Sequence, residues 1–187
     1  MASLPDVDPR PISVAEYHRM IDAGILSEDE RVELLEGVIV KVSPQNDPHA
    51  LVIERLNKML VRQLPERYRV RPQLPLTLGD RSEPEPDLTV SLPEASSLKQ
   101  HPRSAVLVIE VSGESLRKDR GLKAQIYARA GIPEYWLVNL DESCVEVLTD
   151  PDAVSSEYRR RSVVARDETL RSSAVAELAV PLAALFD

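Results

Sequence analysis

The segment from Ala105 to Val111 constrains this chain more than any other. It reads Ala-Val-Leu-Val-Ile-Glu-Val, a continuous apolar run interrupted only by Glu110. A short, β-branched run with almost no polar residue suits a central strand covered on both faces. From Arg117 to Ala130 the spacing becomes helical, with Leu122, Ile126 and Ala130 four apart, and Gly131 and Pro133 close the helix. Glu134 to Leu140 is strand-like again. A strand-helix-strand unit of this length forms a right-handed crossover. The expected fold class is therefore α/β (α+β), one mixed sheet with helices on its faces.

The remaining elements fit around that unit. Residues 1–12 hold three of the prolines within a short polar stretch and read as an extended arm. Ser13 and Glu16 make a capping box for a helix that Gly24 ends, with Val14, Tyr17, Met20 and Ile21 as its apolar stripe. Arg31 to Val42 reads as two short strands hinged at Glu36-Gly37. After the Pro44–Pro48 loop, a second helix is expected from about His49 to Leu64. Tyr68 to Leu78 alternates, but Pro72 and Pro75 confine it to an edge or a bulge. Asp87 to Leu92 is a strand, and 93–103 is a polar loop. Cys144 to Leu148 pairs back across Asp141-Glu-Ser, Tyr158 to Ala165 is a further strand, and the tail from Ser173 to Phe186 packs on the body. Residues 13–187 are expected to form one domain, since 187 residues suffice for a core without staples.

Composition excludes several classes. The single cysteine, Cys144, rules out an intrachain disulfide and a cysteine-rich zinc site, and reads as a small core residue. No apolar run approaches the roughly 20 residues of a membrane span, and a reducing, cytoplasmic setting is the expectation. The net charge of −8 argues against indiscriminate nucleic-acid binding. Arg117, Lys118, Arg120 and Lys123 form one basic cluster and Arg159, Arg160 and Arg161 another; clusters of this size are commonly solvated surface.

The candidate chemistry centres on carboxylates. A buried Glu110 is costly unless paired, hydrogen-bonded or bound to metal. Asp87 follows Pro86, which stiffens the approach to a strand entrance. Two carboxylates from neighbouring strands with the Val111 carbonyl make a partial shell for Mg²⁺, with Mn²⁺ as a substitute, an ion that keeps several waters. Lys123 shares a helix face with Asp119, and a crossover can turn that face toward Glu110. There it would orient the attacking water and neutralise phosphate charge. Glu36 at the hairpin corner is a candidate third acid, although a turn glutamate is commonly solvated. His49 has a capping or exposed role as its ordinary explanation, and Ser115 reads as a helix cap.

These residues carry a resemblance. Pro86-Asp87, the strand ending Glu110-Val-Ser, the spacing Ser115-x3-Asp119-x3-Lys123 and Tyr127-Ala-x-Ala-Gly-Ile-Pro-Glu-Tyr-Trp136 resemble the Uma-type endonucleases of the PD-(D/E)XK, restriction-endonuclease-like superfamily. The likeness extends from about Ser13 to Leu148 and includes Val32-Glu-Leu-Leu-Glu-Gly37 and His49. It implies a central mixed sheet flanked by helices, often assembled as a homodimer. It also implies that Asp87 and Glu110 are metal-binding carboxylates. The usual motif lysine, two residues after the acid, is Ser112 here, and Lys123 resembles its migrated replacement. Glu36 matches an acidic position of the family. The activity implied is Mg²⁺-dependent hydrolysis of phosphodiester bonds in DNA. A catalytically silent nuclease-fold module for binding or dimerisation is the alternative.

Overall fold

The computed structural model describes residues 9–27, 29–42, 46–93 and 100–187. The first eight residues of the expected arm, and parts of the loops expected at 44–48 and 93–103, lie outside the described residues. Helix α1 (Val14–Asp22) opens on the full capping box: the Ser13 hydroxyl accepts from the Glu16 N–H, and the Glu16 carboxylate accepts from Ser13. Strands β1 (Val32–Leu35) and β2 (Val38–Lys41) form an antiparallel hairpin. Its two corner residues, Glu36 and Gly37, both take positive φ, 50° and 79°. That is the geometry a two-residue primed turn demands. A Cβ on Gly37 would also come within 2.4 Å of Pro11 Cβ, so the arm can cross here only against glycine.

Helix α2 (Asp47–Gln63) begins two residues earlier than the periodicity indicates, because Asn46 is its cap and Pro48 occupies the first turn. Then β3 (Arg69–Pro72), β4 (Leu88–Ser91), β5 (Leu107–Ser112), β6 (Glu134–Asn139), β7 (Cys144–Asp152) and β8 (Glu157–Val164) line up in that order in one six-stranded sheet. Only β5 and β6 are parallel, and the other neighbours run antiparallel. The expected mixed sheet is present, and β3 sits on its edge as its prolines require. Between β5 and β6 the chain forms α3 (Leu116–Lys118), a π-helical turn (Asp119–Lys123) and α4 (Ala124–Arg129). Ser115 does not cap this helix with its side chain; its backbone is already helical. The tail folds into a small hairpin, β9 (Thr169–Arg171) with β10 (Ala179–Pro181), and a last turn, α5 (Ala183–Phe186).

The period-two alternation of β5 divides the core. Leu107, Ile109 and Val111 pack with Val52, Leu56 and Leu60 of α2, Trp136, and Val175, Val180 and Leu182 of the tail. Val108 points the other way, with Ala124, Ile126 and Tyr127 of α4, Tyr135 and Leu137. By the same alternation Glu110 and Ser112 face the α3–α4 helix. That orientation puts a carboxylate under a helix bearing Lys123.

Candidate active site

Asp87 stands immediately before β4. The pairing Leu88↔Ile109 and Thr89↔Val108, continued by one residue, sets Asp87 opposite Glu110. Its Oδ2 accepts a hydrogen bond of 2.8 Å from the Val111 N–H. The same oxygen lies 3.3 Å from Nε2 of His49, on the first turn of α2. Burial opposes a charged imidazole there, but Asp87 and the Val111 carbonyl outweigh it and raise the His49 pKa above its ordinary value.

Glu110 is bound from the helix side. Its Oε1 accepts 2.6 Å from the Tyr127 hydroxyl and 2.9 Å from Nζ of Lys123. Lys123 is 4% exposed and meets two more acids: Oε2 of Glu33 at 3.1 Å and Oδ1 of Asp119 at 3.9 Å. Burial disfavours its charge, yet Glu110, Glu33 and Asp119 together raise its pKa, so the ammonium persists. Burial pushes the Glu110 carboxyl well above the usual carboxylate range. Lys123 pulls it back in part, while Asp119, Asp87 and Glu33 add to the rise. Shared among three acids, Lys123 leaves Glu110 holding its proton more readily than an ordinary carboxyl, until a cation takes the proton's place.

Local structure explains how Lys123 arrives there. The Ala124 N–H bonds to the Asp119 carbonyl, a five-residue step that widens the helix by one residue. The Tyr135 hydroxyl donates to that same carbonyl at 3.1 Å, and the Ser112 hydroxyl donates to Oδ2 of Asp119 at 2.6 Å. Single-turn π insertions of this kind often mark functional sites. Ser112 thus anchors the turn that brings Lys123 to Glu110.

Glu33 is the acid that sequence reasoning missed. It is 1% exposed, and its carboxylate takes the Lys118 ammonium at 2.8 Å, Lys123 at 3.1 Å and the Glu85 N–H at 3.3 Å. Burial works against its charge, but Lys123 and Lys118 prevail and hold its pKa below the ordinary value. The signal was available: Glu33 interrupts the apolar run Val32–Leu35 just as Glu110 interrupts its strand. Glu36, the acid singled out in that motif, is placed elsewhere. It accepts from Arg129 at 2.7 Å and from the Ser82 hydroxyl at 3.1 Å, tying the hairpin to the end of α4.

Asp87, Glu110, Val111 and Lys123 all line one open cavity of about 300 Å³, with His49, Glu85, Lys118 and Arg31 at its wall. Glu85 has no cation partner among the described residues, and burial followed by Glu33 raises its pKa. Oδ1 of Asp87 and Oε2 of Glu110 have no hydrogen-bond partner among the described residues, and neither is sealed from solvent. Two free carboxylate oxygens and a carbonyl match the donor set of Mg²⁺. No three His, Cys, Asp or Glu side chains among the described residues converge as metal ligands, so main-chain oxygen and water would complete such a shell. Of the basic run, Arg159 pairs with Asp152, Arg160 with Asp150 and Arg161 with Glu146.

The sequence profile of the Uma2 family, described as "Putative restriction endonuclease", matches residues 14–183. The chain belongs to this family. Among solved structures, one titled as a putative nuclease belonging to DUF820 from Anabaena variabilis ATCC 29413 is similar in fold. It superposes with a TM-score of 0.70 at 20% identity, over 94% of this chain and 98% of the other. No curated protein matches in sequence. The Uma2 match spans α1 through the start of α5, so it takes in both the hairpin that carries Glu33 and the helix that carries Lys123.

Proposed function

We propose that this Uma2-family protein is a Mg²⁺-dependent nuclease that hydrolyses phosphodiester bonds in DNA, with Asp87, Glu110 and the Val111 carbonyl holding the cation. The observation that carries the reading is the pair of free carboxylate oxygens at the open cavity, on Asp87 and Glu110. A bound Mg²⁺ would polarise a phosphoryl oxygen and lower the pKa of a water ligand. The chain's own residues do the rest. Tyr127 and Lys123 fix Glu110 through one oxygen, and the Val111 N–H fixes Asp87 through one oxygen. Lys123 stays protonated, so it serves as fixed positive charge and as an orienting donor rather than as a base. Lys118 and Arg31, at the cavity wall, offer positive charge to a phosphate. A homodimer in the reducing cytoplasm belongs to the same reading.

The alternative, a catalytically silent nuclease-fold module, draws on one observation. Lys123 with Glu33, Glu110 and Asp119 forms a buried ion network that is complete without a ligand. The two readings separate on cleavage of single- and double-stranded DNA with Mg²⁺ or Mn²⁺, by the wild type, Asp87→Asn and Glu110→Gln. A nuclease cuts with metal, stops with EDTA, and loses activity in both variants while their circular dichroism is unchanged. No cleavage by any form, with either metal, would establish the silent module instead.

A further inference from the structure

We infer that His49 is a positioning residue for Asp87, bracing the carboxylate from α2 so that Oδ1 stays free for the cation. This inference rests on the nuclease reading above. Oδ2 of Asp87 is engaged from two separate elements: the Val111 N–H of β5 at 2.8 Å, and Nε2 of His49 at 3.3 Å. Two contacts at one oxygen, one from β5 and one from α2, restrict rotation of the carboxylate plane. Outer contacts of this type commonly orient the acids that hold a metal.

The ring is not placed there by packing alone. Its Nδ1 is buried with no hydrogen-bond partner, so the imidazole forgoes one polar contact while Nε2 faces Asp87. A half-buried histidine free to choose would turn to satisfy that atom. Facing a carboxylate oxygen that can only accept, Nε2 is the ring nitrogen suited to carry a proton. The backbone beneath is firm: Asn46 Oδ1 accepts the His49 N–H at 3.1 Å, and Val52, Ile53, Leu56 and Leu60 bind α2 to the sheet. The helix cap thus belongs to Asn46, and the His49 side chain is left to face the cavity.

The test is calorimetric titration of Mn²⁺ into the full-length wild type, His49→Ala and His49→Gln, with thermal melts of each. His49→Ala is expected to bind Mn²⁺ about 10–100-fold more weakly with an unchanged melt. His49→Gln, which retains an N–H donor, is expected to recover most of that loss. A second readout is cleavage at saturating Mn²⁺, which should largely restore His49→Ala but not Asp87→Asn. Equal or tighter Mn²⁺ binding by His49→Ala overturns the positioning role. Should that variant melt early, the glutamine variant decides: wild-type affinity supports the brace, and an alanine-like loss contradicts it. A wild type that binds no Mn²⁺ overturns the nuclease reading itself, and this inference with it.

Discussion

At the scale of single residues, the site depends on one buried ammonium. Lys123 lies within 4 Å of Glu110, Glu33 and Asp119, all of them nearly inaccessible to solvent. Lysine is almost never buried this deeply without partners, and here the partners outnumber it. Replacing it with methionine keeps the aliphatic stem and leaves three acids without their shared cation. Lys123→Met is expected to lose about 3–5 kcal/mol of stability, because removing one member of a buried ion network strands the others. Urea unfolding monitored by circular dichroism measures this. A loss well below that range would show that Lys118, already on Glu33, takes over the missing charge. A carboxylate inside an apolar run needs a partner, and that requirement singles out Glu110 in the sequence. Applied equally to Val32–Leu35 it selects Glu33, whereas a turn position such as Glu36 carries no such cost.

At the scale of elements, a second buried acid holds the C-terminal segment. Glu134, the first residue of β6, is fully buried and has no cation partner among the described residues. Its Oε1 accepts from the Trp136 indole at 2.5 Å. Its Oε2 accepts from the Ser172 hydroxyl at 3.0 Å, from the Ser173 N–H and hydroxyl at 2.8 and 2.7 Å, and from the Ala174 N–H at 2.7 Å. Four donors on one oxygen compensate the charge. Glu134→Gln is expected to destabilise by about 1–3 kcal/mol, the cost of leaving buried donors short of an acceptor. Amide exchange at Ser173 and Ala174 should quicken more than at Val111, and equal protection at all three would show that packing alone fixes the tail. The sequence predicts that this tail returns to the body, but the clasp joins residues about 40 apart, and no local pattern announces it.

At the scale of the whole molecule, charge governs how a polyanion is met. The chain carries −8 overall, and the cavity wall offers two cations not enclosed in the core: Arg31, and Lys118, which is shared with the buried Glu33. Arg159, Arg160 and Arg161 are each balanced by an acid on β7. Binding of a DNA duplex by the Asp87→Asn variant should therefore weaken only gently with salt. Two phosphate contacts give a slope of log affinity against log salt near about −2. Fluorescence anisotropy at several salt concentrations measures it, and a much steeper slope would point to a basic face beyond the cavity. Among the described residues no helix is long and apolar enough to cross a membrane.

What the sequence determined by itself was local. The capping box at Ser13, the Glu36-Gly37 corner, the stop at Gly131-Ile-Pro133 and the two-sided burial of β5 all follow from spacings of one to four residues, which fix backbone angles and exposed faces. Those spacings also place Glu110 on the face that looks toward Lys123. Tertiary structure decided the rest. Lys118 meets Glu33 across 85 residues, and Asp87 meets Val111 across 24. Whether Glu33 or Glu36 reaches Lys123, and whether His49 faces solvent or Asp87, depends on how the hairpin and α2 dock against the sheet. Docking is set by the combined packing of many distant side chains, which a periodicity read along the chain cannot resolve.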